Sequence, residues 1–95
     1  MGRKIGYARV STTHQNTDSQ VDDLKADGCD EVFFEKVSST APLEQRHQFR
    51  ACLSVLRKGD VLSVARLDRI GRSQVEVINR LNDLQQQGIH VRTLD

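Results

Sequence analysis

The chain has 95 residues, which is the length of one domain with a single core. Its formal net charge is +1, whereas a self-sufficient nucleic-acid-binding domain is usually strongly basic. Either the chain does not touch nucleic acid, or it does so through a local arginine cluster while another module supplies affinity. With no apolar run approaching the roughly 20 residues that span a bilayer and no recognisable signal peptide, we expect a cytoplasmic protein.

Runs of β-branched and aromatic residues predict four short strands. In chain order they cover Lys4 to Val10, Glu31 to Glu35, Val61 to Leu67, and Ile89 to Leu94. The three intervals between them have helical periodicity, and each ends in a glycine suited to the left-handed C-terminal position, namely Gly28, Gly59 and Gly88. This alternation of strands and helices predicts an α/β layered fold around a largely parallel sheet.

Each predicted helix has an apolar face. The inward positions are Val21 and Leu24 in the first helix, Phe49, Cys52, Leu53 and Leu56 in the second, and Val77, Ile78, Leu81 and Leu84 in the third. Thr17 and Gln20 are candidates to cap the first helix. The third is the clearest, running from about Gln74 to Gln87, with Ser73 and Glu76 at the spacing of a capping box.

Basic and hydroxyl side chains follow the predicted strands. In parallel sheets the active site forms beyond the carboxyl ends of the strands, so these residues are expected to gather at one edge. The first strand delivers Arg9 and Ser11, and the loop after the second runs from Ser38 toward Arg46. The residues after the third strand are Asp68, Arg69, Ile70, Gly71 and Arg72.

Each of these residues also has a simpler interpretation. A serine just past a strand is usually a turn or cap residue, and Ser11 becomes a nucleophile only if neighbouring cations stabilise its developing charge. The segment from Asp68 to Arg72 is either a solvated turn or a phosphate clamp, since guanidinium matches phosphate oxygens bidentately. Arg46 taken alone is an exposed residue at the start of the middle helix. Gln15 and Gln20 taken alone are solvated.

Metal and thiol chemistry have little support. His14, His47 and His90 share no ligand spacing, so we expect no metal, and Cys29 and Cys52 are expected to be reduced thiols. A phosphatase or nucleotide-binding enzyme is disfavoured because the chain has no Walker-type loop and no GxGxxG.

Taken in order, the motifs resemble the serine recombinases of the resolvase/invertase family. The segments that match are Gly6-Tyr7-Ala8-Arg9-Val10-Ser11-Thr12, Gln15-Asn16 with Gln20, Gly28-Cys29, Phe34-Glu35-Lys36-Val37-Ser38, Arg46 with Phe49, Leu56-Arg57-Lys58-Gly59-Asp60, Leu67-Asp68-Arg69-Ile70-Gly71-Arg72-Ser73, and Leu84 with Gly88-Ile89. The resemblance covers essentially the whole chain. It implies a three-layer, resolvase-like α/β fold, with a largely parallel central sheet of four to five strands flanked by helices.

The resemblance also implies roles for individual residues. Ser11 matches the serine that attacks a DNA phosphodiester to form a 5′-phosphoserine link. Asp68 matches the active-site aspartate, which takes part in proton transfer or holds the arginines. The matching arginines of the active site are Arg9, Arg46, Arg69 and Arg72, and the matching polar residues around it are Gln15, Gln20 and Ser38.

The family's organisation sets the expected partners. Its members act on DNA as dimers that assemble into tetramers, without a metal or other cofactor. We therefore expect residues 1–95 to form the catalytic domain of a site-specific recombinase, truncated before the family's dimerisation helix and DNA-binding domain, and the isolated piece to be inactive. The alternative is a truncated, non-catalytic fragment that acts as an interaction module with full-length relatives.

Overall fold

The computed structural model describes residues 2–10, 18–38, 41–67, 70–71 and 73–94. Within those ranges strands and helices alternate as the sequence predicts. The elements are β1 (Lys4–Val10), α1 (Asp18–Ala26), β2 (Glu31–Lys36), a short 3-10 helix (Leu43–Gln45), α2 (His47–Val55), β3 (Val61–Val64), α3 (Gln74–Gln86) and β4 (His90–Thr93).

The four strands form one sheet in the order β2-β1-β3-β4, and every neighbouring pair is parallel. In the register of β1 with its neighbours, Arg9 lies opposite Glu35 of β2 and Tyr7 lies opposite Val64 of β3. Because parallel strands put their carboxyl ends at the same edge, the segments that follow β1, β2 and β3 begin together. The predicted parallel α/β sheet is confirmed.

Helices cover both faces of the sheet, which gives three layers. On one face Ile5 and Tyr7 of β1 pack under α2 and α3. The buried core there consists of Ile5, Tyr7, Phe49, Cys52, Leu56, Leu62, Val64, Ile70, Leu84 and Ile89. On the other face Gly6 lies under α1, where an added Cβ would stand 3.3 Å from Leu24 and 3.1 Å from the Sγ of Cys29. The predicted three-layer arrangement is therefore confirmed.

Two of the three predicted helix ends are confirmed. Gly28 and Gly88 directly follow the ends of α1 and α3 with positive φ values of 95° and 78°, as expected for residues that reverse the chain after a helix. The prediction that Gly59 ends the second helix is wrong, because α2 ends at Val55 with the extended Leu56 as its C-cap, and Gly59 (φ 92°) lies in a separate turn before β3. At the start of α3 the Ser73 side chain accepts a hydrogen bond of 3.2 Å from the Glu76 amide. The predicted cap by Thr17 lies outside the described residues.

Two further predictions about these elements are wrong. β3 ends at Val64 rather than Leu67, because its ladder with β1 stops where Tyr7 pairs with Val64, and the chain then turns so that the Ile70 amide reaches the Leu67 carbonyl. Ile78 was expected to face inward but is 50% exposed. At about 100° per residue, it lies well to the side of the face that carries Leu84.

Two carboxylates fasten loops to the sheet. Asp27, after α1, accepts hydrogen bonds from Arg92 of β4 at 2.8 and 2.9 Å and from the Lys4 ammonium at 3.3 Å. The Arg92 guanidinium, with Lys4, holds the pKa of Asp27 well below its usual range. Asp60 accepts the backbone amides of Arg3 and Arg57, both at 2.9 Å, and these amides lower its pKa.

Candidate active site

The structure describes four of the nine predicted site residues, namely Arg9, Gln20, Ser38 and Arg46. Ser11, Gln15, Asp68, Arg69 and Arg72 lie outside the described residues, so their roles stay predictions. The four that are described all belong to elements that meet at the carboxyl edge of the sheet.

Arg9 is almost completely buried although it carries a permanent charge. It is the inward-facing residue near the carboxyl end of β1 and is 3% exposed. Its Nη1 lies 3.4 Å from the carbonyl oxygen of Val37, just beyond β2. Gln20 of α1 donates from Nε2 to the carbonyl oxygen of Arg9 at 3.3 Å, rather than standing as a solvated residue. The carboxyl end of β1, which precedes Ser11, is thus hydrogen-bonded both to the segment after β2 and to α1.

Arg46 is also buried, at 1% exposure, and it is the largest fully buried side chain in the described part of the molecule. The interpretation of Arg46 as an exposed residue is therefore wrong. It occupies the junction between the short 3-10 helix and α2, and its Nε donates to the carbonyl oxygen of Ala41 at 3.2 Å. The Ala41 amide in turn donates to the carbonyl oxygen of the exposed Ser38 at 3.1 Å, so Ala41 links Arg46 to the segment that follows β2.

Sequence reasoning missed Glu35 as a residue that organises the site. Its Oε1 accepts the Gln48 amide at 3.1 Å and its Oε2 accepts the Phe49 amide at 3.2 Å. These amides belong to the first turn of α2, where the N-cap residue Arg46 makes no side-chain capping bond. A carboxylate from β2 therefore caps α2, satisfying two amides that have no partner within the helix.

Tyr7 was also not predicted as a site residue. Its hydroxyl donates to Oε2 of Glu35 at 2.5 Å, and its ring lies 4.6 Å from the Phe49 ring, centroid to centroid. Burial, reinforced by the Glu35 carboxylate, raises the pKa of Tyr7 far above its usual value, so the hydroxyl keeps its proton as a donor. The charges of Arg46 and Arg9 oppose this rise in the pKa of Tyr7.

The described part of the site is therefore a buried cluster of charged and polar side chains at the carboxyl edge of the sheet. Arg9 and Arg46 come from two different elements, and the Glu35 carboxylate of β2 binds both the Tyr7 hydroxyl of β1 and two amides of α2. Guanidinium groups are well suited to bind phosphate oxygens, since they stay charged and offer several donors in a plane.

Other ligand chemistry is not apparent in the described ranges. They contain no group of three or more His, Cys, Asp or Glu side chains placed to hold a metal ion. Cys29 and Cys52 are free thiols, and burial raises the pKa of Cys52 to about 12, so it is not a reactive thiolate at neutral pH. None of the helices that the structure describes has both the length and the apolar content to span a bilayer.

The fold is that of a serine recombinase catalytic domain. The structure superimposes with a TM-score of 0.65 on the C-terminal catalytic domain of ISC1926 TnpA, described as an IS607-like serine recombinase, over 98% of this chain and 67% of that one. At 22% sequence identity, this likeness shows the fold alone. The family model described as the resolvase N-terminal domain matches residues 4–95, and the chain belongs to that family.

Curated relatives agree with the family assignment. The chain is 43% identical over 90 residues to serine recombinase gin of Escherichia phage Mu, which covers 95% of this chain and 46% of the relative. It is 44% identical over 92 residues to the probable DNA-invertase y4cG of Sinorhizobium fredii, covering 97% of this chain and 30% of the relative. It is 37% identical over 92 residues to the transposon Tn552 resolvase of Staphylococcus aureus, covering 97% and 46%. The chain thus spans less than half the length of these relatives.

Proposed function

We propose that this chain is the catalytic domain of a site-specific DNA recombinase that cuts and rejoins DNA through a phosphoserine intermediate on Ser11. The observation that carries this proposal is the pair of buried arginines, Arg9 and Arg46, at the carboxyl edge of the sheet where β1 leads into Ser11. Burying a guanidinium group costs desolvation energy even when hydrogen bonds offset it, so two of them at one edge of the sheet are a costly way to pack a core. A phosphate substrate accounts for keeping both charges at this place.

In the proposed reaction the Oγ of Ser11 attacks the phosphorus of one DNA phosphodiester. The new bond joins Ser11 to the 5′ end of the cut strand, and the bond to the 3′ oxygen breaks, leaving a 3′ hydroxyl. The serine proton leaves as the oxygen attacks, and a proton is delivered to the departing 3′ oxygen. One phosphoester replaces another, so the bond energy is conserved for rejoining and the reaction requires no nucleotide cofactor.

The arginines stabilise the transition state in this mechanism. Attack crowds negative charge onto the phosphate oxygens, and fixed cations bind that charge more strongly than they bind the ground state. Arg69 and Arg72, which follow β3, are proposed to join Arg9 and Arg46 around the same phosphate. Asp68 either takes part in proton transfer or holds these arginines, and Gln15, Gln20 and Ser38 line the site. Removing one such arginine is expected to slow cleavage by a factor of about 10²–10³.

The rest of the proposal concerns the intact recombinase. We propose that this domain works in the cytoplasm within dimers that pair into tetramers on DNA, and that a dimerisation helix and a DNA-binding domain supply the association and most of the affinity. This division of labour accounts for the net charge of only +1 on the chain.

The direct test is a trapping assay with the recombinase that contains this chain. A DNA substrate with a nick close to the cleavage position loses its short 3′ fragment after cleavage, so the covalent intermediate accumulates. We expect a protein–DNA adduct that survives denaturation, with phosphate mapped to Ser11 by mass spectrometry. Ser11→Ala should abolish the adduct, whereas Ser54→Ala, which removes an exposed hydroxyl on α2, should leave it unchanged. An adduct that persists in Ser11→Ala would defeat the assignment, and its absence from the unmodified protein would favour the interaction-module alternative.

A further inference from the structure

Arg80 stands where the helical pattern of α3 calls for an apolar residue. It lies three residues after Val77 and four before Leu84, both of which pack on the core, so it faces the rest of the fold rather than solvent. Its guanidinium carbon lies 5.6 Å from the centroid of the Phe49 ring of α2. The side chain thus bridges α3 to α2, with its charge over an aromatic face.

This guanidinium has no anionic partner in the part of the chain that the structure describes. Its Nε is shielded from solvent and has no hydrogen-bond acceptor. By contrast, Arg3 pairs with Asp60 and Arg92 pairs with Asp27. A shielded donor on a charged group without an acceptor is costly, so its place in the fold needs a specific reason.

The contact with Phe49 places Arg80 at the catalytic end of the molecule. Phe49 is in the first turn of α2, where its amide is bound by Glu35 and its ring contacts Tyr7. Arg46 occupies the N-cap position just before that turn. Arg80 is about two turns into α3, but helical side chains lean toward the N-terminus of their helix, and this brings its guanidinium level with that first turn.

We infer that Arg80 binds a backbone phosphate of the DNA, next to the phosphate that Arg9 and Arg46 engage. This inference rests on the proposed function and adds a contact to it. A DNA strand that crosses the carboxyl edge of the sheet presents further phosphates on either side of the reacting one. Arg80 offers such a phosphate a planar set of donors that Phe49 already holds in orientation. The DNA supplies the acceptor that Arg80 Nε lacks within the described residues.

The salt dependence of DNA affinity tests this inference. Every variant carries Ser11→Ala so that no covalent complex forms, and the probe is a short DNA duplex bound by the recombinase that contains this chain. Arg80→Met keeps an unbranched chain over Phe49 but removes the charge. Because each phosphate contact contributes a slope of about 0.9 to the plot of log affinity against log salt concentration, Arg80→Met is expected to reduce that slope by about 0.9.

Two further variants separate a local contact from general charge. Lys58→Met removes one exposed positive charge at the opposite edge of the sheet, just before β3, and should leave the slope unchanged. Arg80→Lys keeps the charge and should retain most of the slope. An unchanged slope in Arg80→Met, or an equal reduction in Lys58→Met, would overturn the inference and show that Arg80 only covers Phe49. The Ser11 adduct assay gives its own result in either case, so failure of this contact is distinguishable from failure of the proposed function.

A side-chain measurement does not depend on any variant folding normally. In nitrogen-15 NMR spectra of the unsubstituted recombinase that contains this chain, the Arg80 Nε–H resonance is expected to shift on titration with the duplex, and also with inorganic phosphate at low salt. The exposed Arg57 serves as the internal reference. An Arg80 resonance that moves no more than that of Arg57 at the highest duplex concentration would overturn the inference.

Discussion

Because Glu35 caps α2, substitution of this one residue is expected to cause an unusually large loss of stability. Glu35→Ala removes the acceptor of two backbone amides in the first turn of α2 and of the Tyr7 hydroxyl. Loss of a helix cap costs about 1 kcal/mol, and a buried hydroxyl left without an acceptor costs about 1–3 kcal/mol. The free energy of unfolding should therefore fall by about 2–4 kcal/mol, a large part of the 5–15 kcal/mol typical of a domain.

Smaller changes at the same contact should cost less. Glu35→Gln keeps one acceptor oxygen but loses the negative charge at the helix N-terminus, and should destabilise the fold by about 1–2 kcal/mol. Tyr7→Phe removes only the hydroxyl and leaves the carboxylate bound to both amides, so a loss of about 0.5–1.5 kcal/mol is expected. In the Glu35→Ala background the Tyr7→Phe change should instead restore part of the lost stability, because it removes the hydroxyl that has no acceptor there.

Urea unfolding followed by far-ultraviolet circular dichroism measures these differences. Lys36→Ala is the matched control, since Lys36 is the exposed next residue of the same strand. Equal losses of stability in Glu35→Ala and Lys36→Ala would show that Glu35 does not cap α2. If Tyr7→Phe costs as much with Glu35 absent as with it present, the two side chains are independent, which would refute the contact between them.

Two further predictions concern the ends of the sheet. Contacts with Arg92 and Lys4 lower the pKa of Asp27 in the folded state. The Asp27 carboxylate therefore stabilises the fold above the unfolded pKa near 3.9, and this stabilisation is lost as the pH falls. Asp27→Asn should lower the urea midpoint at pH 7, and the midpoint should then fall less steeply between about pH 5 and 2. A midpoint that falls as steeply in Asp27→Asn as in the unsubstituted chain would contradict this. Gly71→Ala places a Cβ 2.9 Å from both the amide nitrogen and a methyl group of Val77. Thermal unfolding should therefore show that the free energy of unfolding falls by about 1–3 kcal/mol. Full retention of stability would show that the start of α3 shifts freely.

Much of the fold was predictable because its signals are local. The strands carry β-branched runs, the helices have apolar faces, and Gly28, Gly59 and Gly88 mark the turns where the structure has positive φ. The cap at Ser73 needs only the spacing to Glu76. Ile78 was misplaced because periodicity gives the centre of an apolar face but not how far the neighbouring elements cover its flank.

The site was harder to predict because its organising contacts join residues far apart in the chain. Arg46 has the local sequence of an exposed residue at the start of a helix, whereas in the fold it is buried and donates to the carbonyl oxygen of Ala41. Glu35 caps a helix that begins beyond that loop, so no capping pattern reveals it. The family resemblance identified Arg46 as a site residue but did not indicate that it is buried.

One signal in the sequence points to the same site independently of the family resemblance. Along β1 the inward positions run Ile5, Tyr7, Arg9, so they change from apolar to charged toward the carboxyl end, and along β2 Phe33 is followed by Glu35 in the same way. An ionisable residue at an inward position is costly unless it has a partner. Two such residues of opposite charge, each at the carboxyl end of its strand, therefore predict that the strands are neighbours and that Arg9 lies opposite Glu35, as the register shows. The pairing that sets Arg9 opposite Glu35 also brings the ends of β1 and β2 together, so the alignment of the sheet and the geometry of the proposed site depend on the same two strands.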